Sequence, residues 1–95
     1  MTNLELDMVF KIDDSYELDS LFDELVTAME ARNFVNLIDV DAGMDSYERV
    51  VSIAAVCQGQ DFASAEQSGR AEISELMTQV MPRGGFTLVS ASLAA

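Results

Sequence analysis

Twice along this 95-residue chain, the hydrophobic pattern switches from strand alternation to the helical period of about 3.6 residues and then back to alternation. Alternation is typical of a strand with one buried face, and the helical period is typical of an amphipathic helix. Read in order, the pattern predicts the elements β-α-β-β-α-β. Few compact folds accommodate that order, because each element must bury its apolar face against another layer.

The first strand and the first helix have the clearest patterns. From Leu4 to Ile12 every second residue is apolar, which predicts a strand with one buried face. Asp14 and Glu17 have the spacing of a capping box, so the helix is expected to begin there and to end at residues 32–33. The stripe expected to be buried on this helix consists of Leu18, Leu21, Phe22, Leu25 and Met29.

The second and third strands are predicted over about 34–41 and 47–57, with a turn at 42–45 between them. The third strand is apolar on both faces, which is typical of a strand covered on both sides. One face carries Val51, Ile53, Ala55 and Cys57, and the other carries Val50, Ser52, Ala54 and Val56. The pattern does not decide which of these two faces packs against the helices.

The second helix is predicted from Phe62 to Met81, and the last strand from Phe86 to about Ser92. Gly69 lies inside this helix, where a close approach to the first helix or to the sheet would favour a residue without a side chain. The residues expected to face inward are Phe62, Ala65, Gly69, Ile73, Leu76, Met77 and Val80. In the last strand Phe86 and Leu88 are expected on one face, and Thr87, Val89 and Ala91 on the other.

These elements predict one α+β domain spanning residues 1–95. The expected architecture is the ferredoxin-like βαββαβ two-layer sandwich, a four-stranded antiparallel sheet with two helices on one face. This fold hosts many unrelated functions, so the fold class alone does not assign one.

The charge of the chain limits its partners. Seventeen acidic residues against five basic ones give a net charge of −12, and histidine is absent. Such a field repels phosphate backbones, which argues against direct nucleic-acid binding. The same acidity is compatible with a basic partner, with mimicry of nucleic acid toward a basic protein, or with adaptation to salt.

Catalytic and metal-binding motifs are weak in this sequence. Without histidine, no Ser-His or Cys-His nucleophile can form, and Cys57 has no CxxC partner. Acidic residues recur over 39–45, but Gly43 and Met44 occupy positions at which a calcium loop needs other residues. The sequence therefore predicts no catalytic residue, no cofactor and no metal ligand.

A single cysteine allows no internal disulfide, and no apolar run approaches the roughly 20 residues of a membrane span. We therefore expect a cytoplasmic protein that does not bind a membrane. The expected partner is a second copy of the chain or another protein.

An apolar strip flanked by acids is the main candidate for an interaction surface. We expect it on the sheet face opposite the helices, where a lone domain would be polar. The predicted partner-binding residues are Val9, Val50, Ala54 and Val56 of the strands, together with Asp19 and Asp23 of the first helix. Asp19 and Asp23 are separated by one helical turn and repel each other, which local stability does not explain.

The leading functional prediction is a non-enzymatic protein-interaction module that self-associates through the open sheet face or an edge strand. The first alternative is a regulatory domain that binds a small molecule between the sheets of a dimer. The second alternative is an acidic inhibitor that mimics nucleic acid. An enzyme ranks last, because no carboxylate pair is marked by its spacing.

Overall fold

The computed structural model describes residues 1–94 and confirms the predicted fold class. Its elements are β1 (Thr2–Ile12), α1 (Leu18–Ala31), β2 (Leu37–Asp45), β3 (Val50–Gly59), α2 (Phe62–Val80) and β4 (Phe86–Ala94). The strands form one sheet in the order β2-β3-β1-β4, and each neighbouring pair is antiparallel. This is the ferredoxin-like arrangement, in which two helices pack on one face of the sheet.

The core lies between the sheet and the helices. α2 packs over β3 and β1, and α1 packs against α2 and β2. Alternate residues of the two central strands are buried there: Leu4, Leu6, Met8, Phe10 and Ile12 of β1, and Val51, Ile53, Ala55 and Cys57 of β3. The helices contribute Leu21 and Leu25 from α1, and Ile73, Leu76 and Met77 from α2. The alternation in the sequence therefore identified the buried face of β1 and left that of β3 undecided.

The capping residue of the first helix lies three residues later in the chain than the predicted one. The cap is Glu17, whose carboxylate accepts the backbone N–H of Ser20 at 2.9 Å. Asp14 instead forms an ion pair with Arg49, with 3.2 Å between the carboxylate oxygen and Nε. The prediction that Asp14 caps the helix was wrong because the unsatisfied N–H groups of the first turn lie after Glu17 and the Asp14 carboxylate pairs with Arg49.

The hairpin between β2 and β3 is shifted along the chain by about four residues relative to its predicted position. The turn occupies residues 46–49 instead of 42–45. The carboxylate of Asp45 explains the shift, because it accepts the backbone N–H groups of Tyr47 and Glu48 at 3.0 and 3.1 Å. Aspartate commonly stabilises a turn in this way, and the sequence offers aspartates at several positions here.

Two predictions of which face a residue lies on were wrong, one at the start of α2 and one in β4. Phe62 is 55% exposed because it is the first residue of α2. In β4, Val9 pairs with Ser90 and Phe10 pairs with Leu88, so Val89 is an extra residue at a β-bulge. The bulge reverses the alternation after Val89 and places Ala91 opposite the buried Met8.

Neither α1 nor α2, the helices of residues 1–94, is long and apolar enough to cross a membrane.

Candidate functional site

The sheet face opposite the helices, called the open face below, is formed by the side chains that alternate with the core residues. On β1 and β3 these are Glu5, Asp7, Val9 and Lys11, and Val50, Ser52, Ala54 and Val56. The strand register places Asp7 opposite Ala54 and Glu5 opposite Val56. The choice that the sequence left open for the third strand is thus resolved, because its other face is buried.

A groove of about 480 Å³ lies on the open face. It is lined by Glu5, Leu6, Asp7, Asp39, Ala54, Ala55, Val56, Ser92, Leu93 and Ala94. The short side chains of Ala54 on β3 and of Ser92 and Ala94 on β4 lie on either side of β1. Because they project little from the sheet, they leave a depression between longer side chains.

A bulge in β2 brings Asp39 to this groove. Ile38 pairs with Val56 and Asp41 pairs with Ala54, so β2 has one residue more than β3 over this stretch. Asp39 adopts a φ of +53°, in the left-handed region that aspartate tolerates better than most residues. Sequence periodicity could not identify Asp39 as a groove residue, because the bulge itself has no periodic signature.

The rim of the groove is negatively charged. The carboxyl groups of Glu5, Asp7 and Asp39 line it, and none of them forms an ion pair with a residue of the range 1–94. Ala54 and Val56 of β3, its apolar floor, lie between Asp39 on β2 and the pair Glu5 and Asp7 on β1. On the other side of β1, Ser92, Leu93 and Ala94 of β4 complete the lining. Chemically, such a site can bind an apolar body, pair with a positive charge, or accept a proton from a bound molecule.

The structure separates the predicted partner-binding residues into three places. Ala54 and Val56 line the groove. Val9 and Val50 share the open face but lie nearer its Lys11 end, where Val50 pairs with Lys11. Asp19 and Asp23 are exposed on α1, in the helical layer. One surface therefore does not contain all six residues.

A second groove, of about 510 Å³, separates the two helices and includes Asp23. Its other lining residues are Glu24, Thr27, Ala28, Ala31, Gln79 and Val80. Its apolar lining residues are Ala28, Ala31 and Val80, against six apolar lining residues in the groove on the open face. The groove on the open face is therefore the stronger candidate for a ligand.

Cys57 is buried beneath α2. Burial raises the pKa of its thiol, and the negative charge of Glu72 raises this pKa further. A thiol held in its neutral form is a poor nucleophile. Within residues 1–94 no group of three or more His, Cys, Asp or Glu side chains is arranged to hold a metal ion.

The fold is shared with solved structures at low sequence identity, although no family model and no curated protein matches the chain. A structural-genomics protein named YJCS aligns with a TM-score of 0.72 at 10% identity, covering 99% of this chain and 98% of that one. A protein from Chloroflexus aurantiacus, provisionally described as an antibiotic biosynthesis monooxygenase, aligns with a TM-score of 0.62 at 14% identity, covering 98% and 91%. Another protein described as an antibiotic biosynthesis monooxygenase aligns with a TM-score of 0.51 at 16% identity, covering 97% and 96%.

These similarities contradict the leading functional prediction. That prediction was a non-enzymatic module that self-associates through the open sheet face or an edge strand. The neighbours instead include proteins described as antibiotic biosynthesis monooxygenases. They favour the alternative prediction, a domain that binds a small molecule. The physical reason for the error is that the apolar strip was interpreted as one contact surface, whereas Ala54 and Val56 line a groove together with carboxylates and Val9 and Val50 do not. The expectation that the protein is not an enzyme receives no support from these neighbours.

Proposed function

We propose that this protein binds a small organic molecule in the groove on the open sheet face. The observation that carries the proposal is the groove itself, whose volume of about 480 Å³ lies within the usual range of ligand pockets, about 300–1,000 Å³. Its apolar floor and few polar groups match the usual composition of such pockets.

The groove has features that would both bind a ligand and orient it. Covering Ala54 and Val56 with an apolar group removes that surface from water, which is favourable at about 25 cal/mol per Å². Glu5 and Asp7 lie on the same strand face, two residues apart, and can orient the ligand through directed polar contacts.

A second candidate function is chemical conversion of the bound molecule. It is favoured by the description of two neighbours as antibiotic biosynthesis monooxygenases. In this chain, the carboxylate of Glu5 or Asp7 would accept a proton from the bound molecule. This function requires that Glu5→Gln or Asp7→Asn retain ligand binding and lose turnover, as measured by product formation with the ligand that binds.

The neutral dye Nile red provides the first test of the proposed function. Ala54 is exposed on the groove floor, so Ala54→Trp fills the groove without entering the core. We expect this variant to weaken Nile red binding at least about tenfold, as measured by fluorescence titration. Ala71→Trp, at an exposed position of α2, is the matched control and should bind the dye as the wild type does. Equal binding by Ala54→Trp and the wild type would contradict the proposal.

A homodimer and a cytoplasmic location remain predictions from the sequence. Three large apolar side chains of β4, Leu88, Val89 and Leu93, are exposed, and this strand has no charged residue. This uncharged edge supports a protein partner, either a second copy of the chain or another protein, since edge strands in other proteins are commonly protected by charge. Absolute mass by light scattering, at low and high salt, tests the homodimer directly: a dimer at both would support it, and a monomer at both would contradict it.

A further inference from the structure

We propose that the molecule bound in the groove is an organic cation, specifically an ammonium group attached to an apolar body. This inference rests on the proposed function and adds the chemical class of the ligand. The apolar body would lie on Ala54 and Val56, and the ammonium group would lie among the carboxylates at the rim.

The geometry brings carboxylates from two strands to the borders of one apolar floor. Glu5 and Asp7 are two residues apart on one face of β1, a spacing of about 7 Å along the strand. Asp39 lies on β2, across β3 from them. A ligand that covers Ala54 and Val56 of β3 thus has negative charge on both sides.

The basic side chains of the described chain do not neutralise this groove. Three of the four arginines form ion pairs elsewhere: Arg32 with Glu75, Arg49 with Asp14 and Arg70 with Glu66. The fourth, Arg83, lies in the loop between α2 and β4 and does not line the groove. The ammonium group of Lys11 donates to the backbone carbonyl of Glu48. Lys11 is also four residues from Asp7 along β1, a distance of about 13 Å.

The charge of the groove selects among ligand classes. Neighbouring carboxylates repel each other, and a bound cation relieves that repulsion whereas an anion increases it. Phosphorylated and carboxylated molecules are therefore disfavoured. An inorganic cation would leave the apolar floor uncovered, whereas an amine with an apolar body covers the floor and pairs with the rim.

Three probes of similar shape and different charge test this inference: 2-phenylethylammonium, 2-phenylethanol and 3-phenylpropionate. At low ionic strength we expect the ammonium probe to bind about tenfold more tightly than the alcohol, and the carboxylate probe to bind most weakly. The preference for the ammonium probe should shrink as sodium chloride is raised, because salt screens exposed charges. Isothermal titration calorimetry, with Nile red displacement as a second readout, gives the three affinities.

A pair of charge-matched variants separates the groove from the acidity of the whole protein. Glu5→Gln/Asp7→Asn and Asp19→Asn/Asp23→Asn each remove two negative charges, the first from the groove and the second from α1. The groove variant should lower the affinity for the ammonium probe about fivefold or more and leave the affinity for the alcohol unchanged. The α1 variant should change both affinities by less than about twofold, because its charges lie in the other layer.

The outcomes distinguish a failure of this inference from a failure of the proposed function. Equal affinities for ammonium and alcohol, both lost in Ala54→Trp, would overturn the organic cation and leave the groove as a ligand site. Equal losses in the two charge-matched variants, or no binding of any probe while Nile red binds, would also overturn the organic cation. Unchanged ammonium binding in Ala54→Trp would overturn the groove itself as the binding site.

Discussion

The side chain of Glu72 on α2 is hydrogen-bonded to the backbone of Asn36, immediately before β2. Its carboxylate accepts the N–H of Asn36 at 2.9 Å and the N–H of Val35 at 2.7 Å. The carbonyl of Asn36 in turn accepts the backbone N–H of Gln58 from β3 at 2.8 Å. One buried carboxylate therefore fixes the point at which the chain leaves the helical layer and enters the sheet.

We expect Glu72→Ala to destabilise the protein by about 2–3 kcal/mol, because two backbone N–H groups lose a charged acceptor. Urea unfolding monitored by circular dichroism measures this change. The matched control is Glu75→Ala, three residues along the same helix. Glu75 has a side chain that is 65% exposed and pairs with Arg32, so its loss should cost less than about 1 kcal/mol. Equal costs for the two variants would contradict a specific role for Glu72.

Gly69 provides a prediction in which packing opposes helix propensity. A methyl group at this position would overlap the Sγ of Cys57 and would lie 3.3 Å from Cδ2 of Leu6. Although alanine is favoured over glycine in a helix by about 1 kcal/mol, we expect Gly69→Ala to destabilise the protein by about 1–3 kcal/mol. Chemical denaturation of purified Gly69→Ala tests the sign as well as the size.

Cys57→Ala supplies the partner for a double-mutant cycle with Gly69→Ala. Removing Sγ takes away the closest contact of the added methyl group, so the double variant should be more stable than additive costs predict. Strict additivity would show that the overlap with Cys57 does not explain the requirement for glycine.

The fold could be predicted from the sequence because the central elements have periodic patterns that survive folding unchanged. Leu6 and Ile12 are buried where alternation places them, and Leu25 is buried where the helical period places it. The hairpin boundaries and the cap of α1 could not be predicted as well, because several acidic residues compete for the same backbone N–H groups there. Asp14 and Glu17 both offer a carboxylate near the start of α1, and Glu17 is the cap while Asp14 pairs with Arg49.

The candidate site was only partly predictable. Alternation identified Ala54 and Val56 as residues of the open face, and both line the groove. Asp39 and Ala94 were missed because a bulge and the extension of β4 beyond Ser92 bring them there. Bulges depend on the register between two strands, which a single strand's pattern does not contain.

Arg49 connects the β2–β3 hairpin to the loop between β1 and α1. Its Nη2 donates to the backbone carbonyls of Asp13 at 2.9 Å and Tyr16 at 2.6 Å. We expect Arg49→Ala to cost about 2 kcal/mol in unfolding free energy, because both carbonyls lose a charged donor. Lysine should not restore the loss fully, since it lacks the planar guanidinium that reaches two acceptors.

Asp14→Ala is the control for Arg49, because it removes only the ion pair. The side chain of Asp14 is 92% exposed, and the buried Nε of Arg49 makes no hydrogen bond, although it lies 3.2 Å from the Asp14 carboxylate. We therefore expect Asp14→Ala to change the midpoint of urea unfolding far less than Arg49→Ala. A similar shift in both variants would assign the stabilisation to the ion pair instead of the carbonyl contacts.

The two helix caps predict how stability depends on pH. Hydrogen bonds from Ser20 hold the pKa of Glu17 below its usual value, and hydrogen bonds from Ser64 do the same for the pKa of Asp61. A carboxyl group with a lower pKa in the folded state stabilises that state fully above its unfolded pKa. The contribution is lost as the pH falls through the folded pKa, so the decline should occur below about pH 4.

The double variant Glu17→Gln/Asp61→Asn tests this assignment. At neutral pH we expect its melting temperature to be a few degrees below that of the wild type, because uncharged caps interact less favourably with the helix N-termini. Below about pH 4 the difference should shrink progressively, as the wild-type caps take up protons and lose their charge. Thermal unfolding from neutral pH to about pH 3 measures both quantities. A difference that stays constant over this range would show that ionisation of Glu17 and Asp61 does not contribute to stability.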